Sequence, residues 1–167
     1  MRILGIDPGY AIVGYGIIDF YNGKYISNDY GAVFTNADDE FSHRLEIIFD
    51  SLNDIIVKYK PEVMSIEKLY FQNNQKTAID VSQARGVIIL AAQKNKLPIY
   101  EYTPLQVKTA VTGYGKAQKF QVMSMIKRLL RLKELPKPDD TADALAIAIC
   151  HANSLGRQYV IDKIINK

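Results

Sequence analysis

The sequence predicts an α/β domain on a mixed five-stranded sheet, its first three strands antiparallel and helices packed on both faces. Three observations lead there. The first 35 residues read as strands joined by an Asn22-Gly23 hairpin signal. From there to the end, apolar residues at helical spacing alternate with short apolar runs, the order of helix and strand that builds parallel pairings. A chain of 167 residues also suits one domain with a single sizeable core.

The elements follow in order. Arg2-Ile3-Leu4-Gly5-Ile6 is a short buried strand that delivers Asp7 into a Pro8-Gly9 turn. A carboxylate at the end of an apolar strand must meet solvent, donors or a cation, because burying it unpaired costs several kcal/mol. Asp7 therefore either opens the turn, accepting backbone hydrogen bonds, or holds a metal. Residues 15–20 form the second strand and residues 24–35 the third. After Asp38, Asp39 and Glu40, Leu45, Ile48, Phe49, Leu52, Ile55, Ile56 and Tyr59 recur at helical spacing up to Pro61. Residues 63–66 form a fourth strand that ends, like the first, in an acid, Glu67.

The polar loop 68–76 carries two adjacent aromatics, Tyr70 and Phe71, with little around them to bury both rings. A helix over 77–95 follows, apolar nearly all round in 87–92, so it needs two partners: the sheet and a second subunit. Residues 98–103 form the last strand, and Thr103-Pro104 starts a helix that ends near Gly113. The glycine-bracketed basic loop 113–119 lacks the spacing and the Ser/Thr of a P-loop. A helix over 118–132 stops at Pro136 and Pro138, and the last helix runs from Asp139 to about Ser154. Residues 1–155 thus make one domain and 156–167 a tail.

Composition narrows the function classes. Apolar runs such as 87–92 are far shorter than the roughly 18 residues of a membrane span. Asp7 and Pro8 interrupt any signal-like start, and a cytoplasmic protein is expected. Cys150 is the only cysteine; it sits in an apolar run and reads as a small core residue in a reducing compartment. The net charge of +3 is modest, but between Pro104 and Lys137 eight basic residues face one acid, Glu134. That half carries a positive face.

Asp139, Asp140 and Asp143 open the last helix. Residues i and i+3 lie about 60° apart around a helix, so Asp140 and Asp143 share a face. Asp139 points elsewhere and suits an N-cap. Dipole complementation accounts for an exposed Asp139. It accounts poorly for Asp143, which lies among Ala142, Ala144, Leu145 and Ile147. If Asp7, Glu67, Asp140 and Asp143 meet at one sheet edge, their repulsion calls for divalent cations. All-oxygen ligation favours Mg²⁺ or Mn²⁺, and two such ions suit in-line attack of water on a phosphodiester.

These residues resemble a known family. Leu4-Gly-Ile-Asp-Pro-Gly9, Gly14-Tyr-Gly16, Ile66-Glu67, Gln83-Ala-Arg-Gly-Val87 and Asp140-Thr-Ala-Asp-Ala-Leu145 together resemble the RuvC family, bacterial Holliday-junction resolvases of the RNase H-like superfamily. The likeness spans residues 1–152 in family order. It implies an RNase H-like fold and a homodimer, formed through the 77–95 helix, that binds a four-way DNA junction. Such a dimer nicks two symmetric strands in recombination and repair, leaves 5′-phosphate ends, and works with a branch-migration complex of RuvA and RuvB type. By position, Asp7, Glu67, Asp140 and Asp143 match the family's metal-binding catalytic acids, which hold two Mg²⁺ ions with Mn²⁺ as a substitute. Some members carry His at the Asp140 position. Lys108 and Lys119 match lysines used near the scissile DNA, Lys116 adds a charge in the same loop, and Tyr70, with Phe71 beside it, matches a junction-contacting aromatic.

Three rival readings remain. An actin-like phosphotransferase shares the strand-Asp-turn but requires a second phosphate turn and a glycine-rich adenosine site, which the sequence lacks. A RuvC-like nuclease for structured RNA shares the fold, although the apolar helix and aromatic loop argue against it. A non-catalytic junction-binding protein would bind junctions and leave them intact with metal present.

Overall fold

A computed structural model describes residues 1–69 and 75–165, with side chains for 1–69 and 77–155. Its elements are β1 (Arg2–Asp7), β2 (Ile12–Tyr21), β3 (Lys24–Phe34), α1 (Phe41–Tyr59), β4 (Val63–Glu67), α2 (Gln75–Lys94), β5 (Ile99–Tyr102), α3 (Pro104–Thr112), α4 (Lys119–Leu129) and α5 (Asp139–Ile165). The five strands lie in the order β3-β2-β1-β4-β5. β1 pairs antiparallel with β2, and β2 with β3, whereas β4 runs parallel to both β1 and β5. The mixed sheet and its antiparallel opening are those expected from the sequence.

Because side chains alternate along a strand, the sheet divides the core in two. Ile3, Ile18 and Val63 pack on one face with Val107 of α3, Ile126 of α4 and Leu145 of α5. Leu4, Ile6, Ile17, Met64 and Ile66 pack on the other with Ile48 and Leu52 of α1 and Ile88 of α2. Helices thus cover both faces. Cys150 belongs to the first core, as its apolar surroundings suggested. Among the described residues no helix is long and apolar enough to cross a membrane.

Two details depart from expectation. The second strand begins at Ile12, three residues before the expected start, and pairs Gly14 with Asp7. The last helix continues past the expected end near Ser154 to Ile165. A glycine costs a helix only about 1 kcal/mol relative to alanine, and after Gly156 no proline ends the run. Thr103 caps α3 as read: its side chain accepts from the Gln106 amide while the Gln106 side chain accepts from the Thr103 amide.

Candidate active site

Alternation places two acids side by side. On β1, Ile3, Gly5 and Asp7 face α5; on β4, Val63, Ser65 and Glu67 do the same. Parallel pairing sets Ile3 opposite Val63, Gly5 opposite Ser65 and Ile6 opposite Ile66. Asp7 and Glu67 are the next step of that ladder, on strands about 5 Å apart. Both are strand ends, so their carboxylates stand at the sheet edge.

Helix α5 brings the other acids to them. A Cβ built on Gly14 would lie 2.0 Å from the Asp140 carbonyl oxygen, one on Gly5 would lie 2.1 Å from that of Ala144, and one on Gly16 would lie 2.7 Å from Leu145 Cδ2. Only glycine lets the helix lie this close on β1 and β2. Gly14 is paired with Asp7, so the first turn of α5 lands beside the Asp7 carboxylate. Asp143 is half-buried among Ala142, Ala144 and Leu145, which are fully buried.

The electrostatics follow from this proximity. Burial, followed by the Glu67, Asp143 and Asp140 carboxylates, pushes the Asp7 carboxyl up to about 8, against a smaller opposing pull from Lys119. Burial and then Asp143 raise Glu67, while Lys108 lowers it. Asp143 is also raised, chiefly by burial, although Lys119 draws it down. Lys119 Nζ lies 3.3 Å from Asp143 Oδ2 and 3.2 Å from Asp139 Oδ2. Burial lowers the Lys119 pKa and these acids outweigh it, so the ammonium titrates above its ordinary value. Glu67, Lys108, Lys119 and Asp143 line one pocket, floored by Val107, Val122 and Ile147.

The donor set fits hard divalent cations. It is all carboxylate, with acids raised by burial and by one another and with Lys119 and Lys108 as their counter-charges. Among the described residues no three carboxylate, imidazole or thiol side chains are already close enough to hold one ion. Glu67 and Asp143 are walls of the pocket, and with Asp7 and Asp140, which act on one another and on Asp143, they are the residues that would hold such an ion.

Comparison with known proteins places the whole chain rather than the site. A model of the family described as crossover junction endodeoxyribonuclease RuvC matches residues 3–151. The chain belongs to the RuvC family. It is 57% identical over 166 residues to crossover junction endodeoxyribonuclease RuvC of Fusobacterium nucleatum, covering 99% of this chain and 87% of that protein. The protein of the same description from Halothermothrix orenii is 58% identical over 154 residues, covering 92% of this chain and 93% of its own length. The structure of Thermus thermophilus RuvC in complex with a Holliday junction substrate superposes with a TM-score of 0.87 at 34% identity, over 91% of this chain and 93% of that one.

Within this RuvC-family fold the sequence-predicted residues fare differently. Glu67, Asp143, Lys108 and Lys119 line one pocket, and Asp7 does not line it but lies within the field of Glu67, Asp143 and Lys119. Asp140 is half-buried and acts on both Asp7 and Asp143. Lys116 is exposed on the preceding loop and does not line the pocket. Tyr70 and Phe71 lie outside the described residues. Asp139 is itself the first helical residue, one position past a cap, and its carboxylate meets Lys119.

Arg44 was not foreseen. It is buried, donates to Thr35 Oγ1 at 2.9 Å and to the Tyr10 carbonyl at 3.3 Å, and lies 4.6 Å from the Tyr10 ring centre. Thr35 Oγ1 donates to the same carbonyl at 2.6 Å. Together they pin the turn that follows Asp7. The available signal was its position four residues before Ile48, on the stripe that α1 buries with Leu52 and Ile56.

Proposed function

We propose that the protein is a divalent-metal-dependent endonuclease that resolves four-way DNA junctions in recombination and repair. It nicks two symmetric strands and leaves ligatable 5′-phosphate ends. The observation that carries this reading is the pocket lined by Glu67, Asp143, Lys108 and Lys119 at the strand ends, with Asp7 on the neighbouring strand within the field of the same acids. Membership of the RuvC family and the likeness to a relative solved with a Holliday junction support the substrate.

Asp7, Glu67, Asp140 and Asp143 would hold two Mg²⁺ ions, for which Mn²⁺ substitutes. Such ions, when bound, supply charge stabilisation at phosphoryl oxygens and an activated water nucleophile. The chain's own residues do the rest. Lys108 and Lys119 offset the repulsion between the acids and an incoming phosphodiester and fix its position, while Lys116 adds attraction from the loop. Contacts of this kind supply affinity with little sequence information. Tyr70 and Phe71 are assigned to the unpaired bases of the junction.

Two symmetric cuts require two sites related by a two-fold axis. Helix α2 turns Ala84, Ile88, Ala91 and Ala92 into the core and leaves Ile79, Gln83, Gly86 and Leu90 exposed at helical spacing. That stripe is the proposed homodimer face. A branch-migration complex of RuvA and RuvB type would deliver the junction in the cytoplasm. The nuclease unit is residues 1–155, with the remainder an appendage.

One assay tests the reading. With Mg²⁺, a synthetic four-way junction should be cut in paired strands while a plain duplex and an RNA–DNA hybrid stay whole, and nothing should be cut in EDTA. Preferential cutting of the hybrid would favour an RNA substrate; a junction bound but left intact with metal would exclude the nuclease. Replacing Lys119 with alanine should weaken junction binding and reduce the salt dependence of affinity by about 0.9 in log–log slope, the share of one phosphate contact. An unchanged slope would make Lys119 a partner of Asp139 and Asp143 alone.

A further inference from the structure

The first turn of α4 separates the acidic pocket from a second groove. On one side Lys119 reaches Asp139 and Asp143. On the other, Tyr114 and Phe120 flank a groove floored by Ala117 and Met125. Phe120 is 69% exposed, Tyr114 59% and Leu105 62%, so three large apolar side chains face water in a single chain. They form one surface: a Cβ on Gly115 would lie 2.3 Å from Leu105 Cδ1, so Leu105 lies against the backbone next to Tyr114. Contiguous exposed apolar surface with a polar rim marks a binding site.

The rim selects the occupant. Lys116, exposed, lies between Tyr114 and Ala117 in sequence and puts one positive charge beside the groove, while Lys119, immediately before Phe120, turns its ammonium to Asp139 and Asp143 in the acidic pocket. A basic or purely apolar peptide gains nothing from that positive charge. A polyanion with flat apolar appendages satisfies both features, because phosphates meet the lysines while a base stacks on a ring. We propose that the groove between Tyr114 and Phe120 receives a nucleobase, drawn out of the helical stack, from the strand whose phosphate lies in the acidic pocket. The assignment rests on the nuclease reading and gives that site a base contact beside its cut. The rings of this groove are not Tyr70 and Phe71, which belong to a separate stretch of the sequence.

The test has a binding arm and a cleavage arm, both on the full chain. Four-way junctions carrying 5-iodouracil at successive positions around the cut are bound in EDTA, irradiated and mapped by mass spectrometry. Crosslinks to Tyr114 or Phe120 should appear at one position. Removing the base there should slow wild-type cleavage about tenfold, the size of one base–aromatic stack. The same abasic junction should slow Phe120→Ala no further than the substitution alone, and Phe120→Trp should retain the wild-type rate. No crosslink to either ring at any position overturns the assignment, as do losses from Phe120→Ala and base removal that multiply at every position. Unchanged crosslinking and cleavage in Phe120→Ala would also overturn it and give the surface to a protein partner. If the wild type crosslinks but cuts no junction, the nuclease reading fails and the base site stands.

Discussion

Asp7→Asn is expected to reduce junction cleavage by at least about 10³-fold while leaving junction affinity within about twofold, since the loss is of charge stabilisation worth several kcal/mol in the transition state. The lysines that face DNA are untouched. The same substitution has a second signature without metal. In the folded chain the Asp7 carboxyl titrates at about 8, against roughly 3.9 when unfolded. Between those values the unfolded chain has released a proton that the folded chain keeps, so metal-free stability falls as pH rises from about 4 to about 8. Below about 4 both states are protonated and the penalty vanishes. Asn carries no such proton, so Asp7→Asn should be more stable than wild type in EDTA by a margin that grows over that range to a few kcal/mol. Glu67 and Asp143 are raised in the same direction and leave part of the slope in the variant. Thermal melts of both proteins in EDTA at several pH values measure the margin. A pH-independent difference would mean that Asp7 is not the uncompensated charge of this edge, and full cleavage by the variant would remove it from catalysis.

How much of this site the sequence disclosed depends on the range of the interaction. Asp7 and Glu67 were legible because each ends an apolar strand and a strand has a fixed side-chain period of two; the pattern at 3, 5 and 7 and at 63, 65 and 67 already assigns a common face. Asp140 and Asp143 were legible from helical geometry. Asp139 was misread as an N-cap because its partner, Lys119, lies twenty residues away in another helix, and no local rule reports such a pair. Gly14 and Gly16 stood out as a motif, but their reason is the helix laid across them, which is a tertiary fact. The end of α5 was placed too early, at about Ser154, because propensity is a weak prior once the preceding turns are packed. Arg44 was hidden by its charge in a stripe that otherwise reads as apolar.

Gly14→Ala should be the most damaging single-methyl change that touches no functional group. The added Cβ would fall 2.0 Å from the Asp140 carbonyl oxygen, 2.4 Å from its carbonyl carbon and 3.1 Å from the Thr141 nitrogen. All three are backbone atoms in the first turn of α5, so no side chain can rotate aside. Either β2 bends or the helix lifts, and Gly14 is held by its pairing with Asp7 on one side and Ala32 on the other. Lifting carries Asp140 and Asp143 away from Asp7. A displacement of about 1 Å at reacting groups can cost 10²-fold in rate, whereas overpacking of this kind costs roughly 1–3 kcal/mol of stability. Cleavage should therefore fall about a hundredfold in protein that still folds, as circular dichroism would show. Gly31→Ala is the matched control: the three atoms nearest its Cβ would be Tyr15 side-chain atoms at 3.0–3.1 Å, on a ring that can shift. That variant should lose little activity. Equal rates for the two variants would separate the spacing of the acids from the seat of α5, because the steric cost would then be absorbed in the strand and never reach the carboxylates.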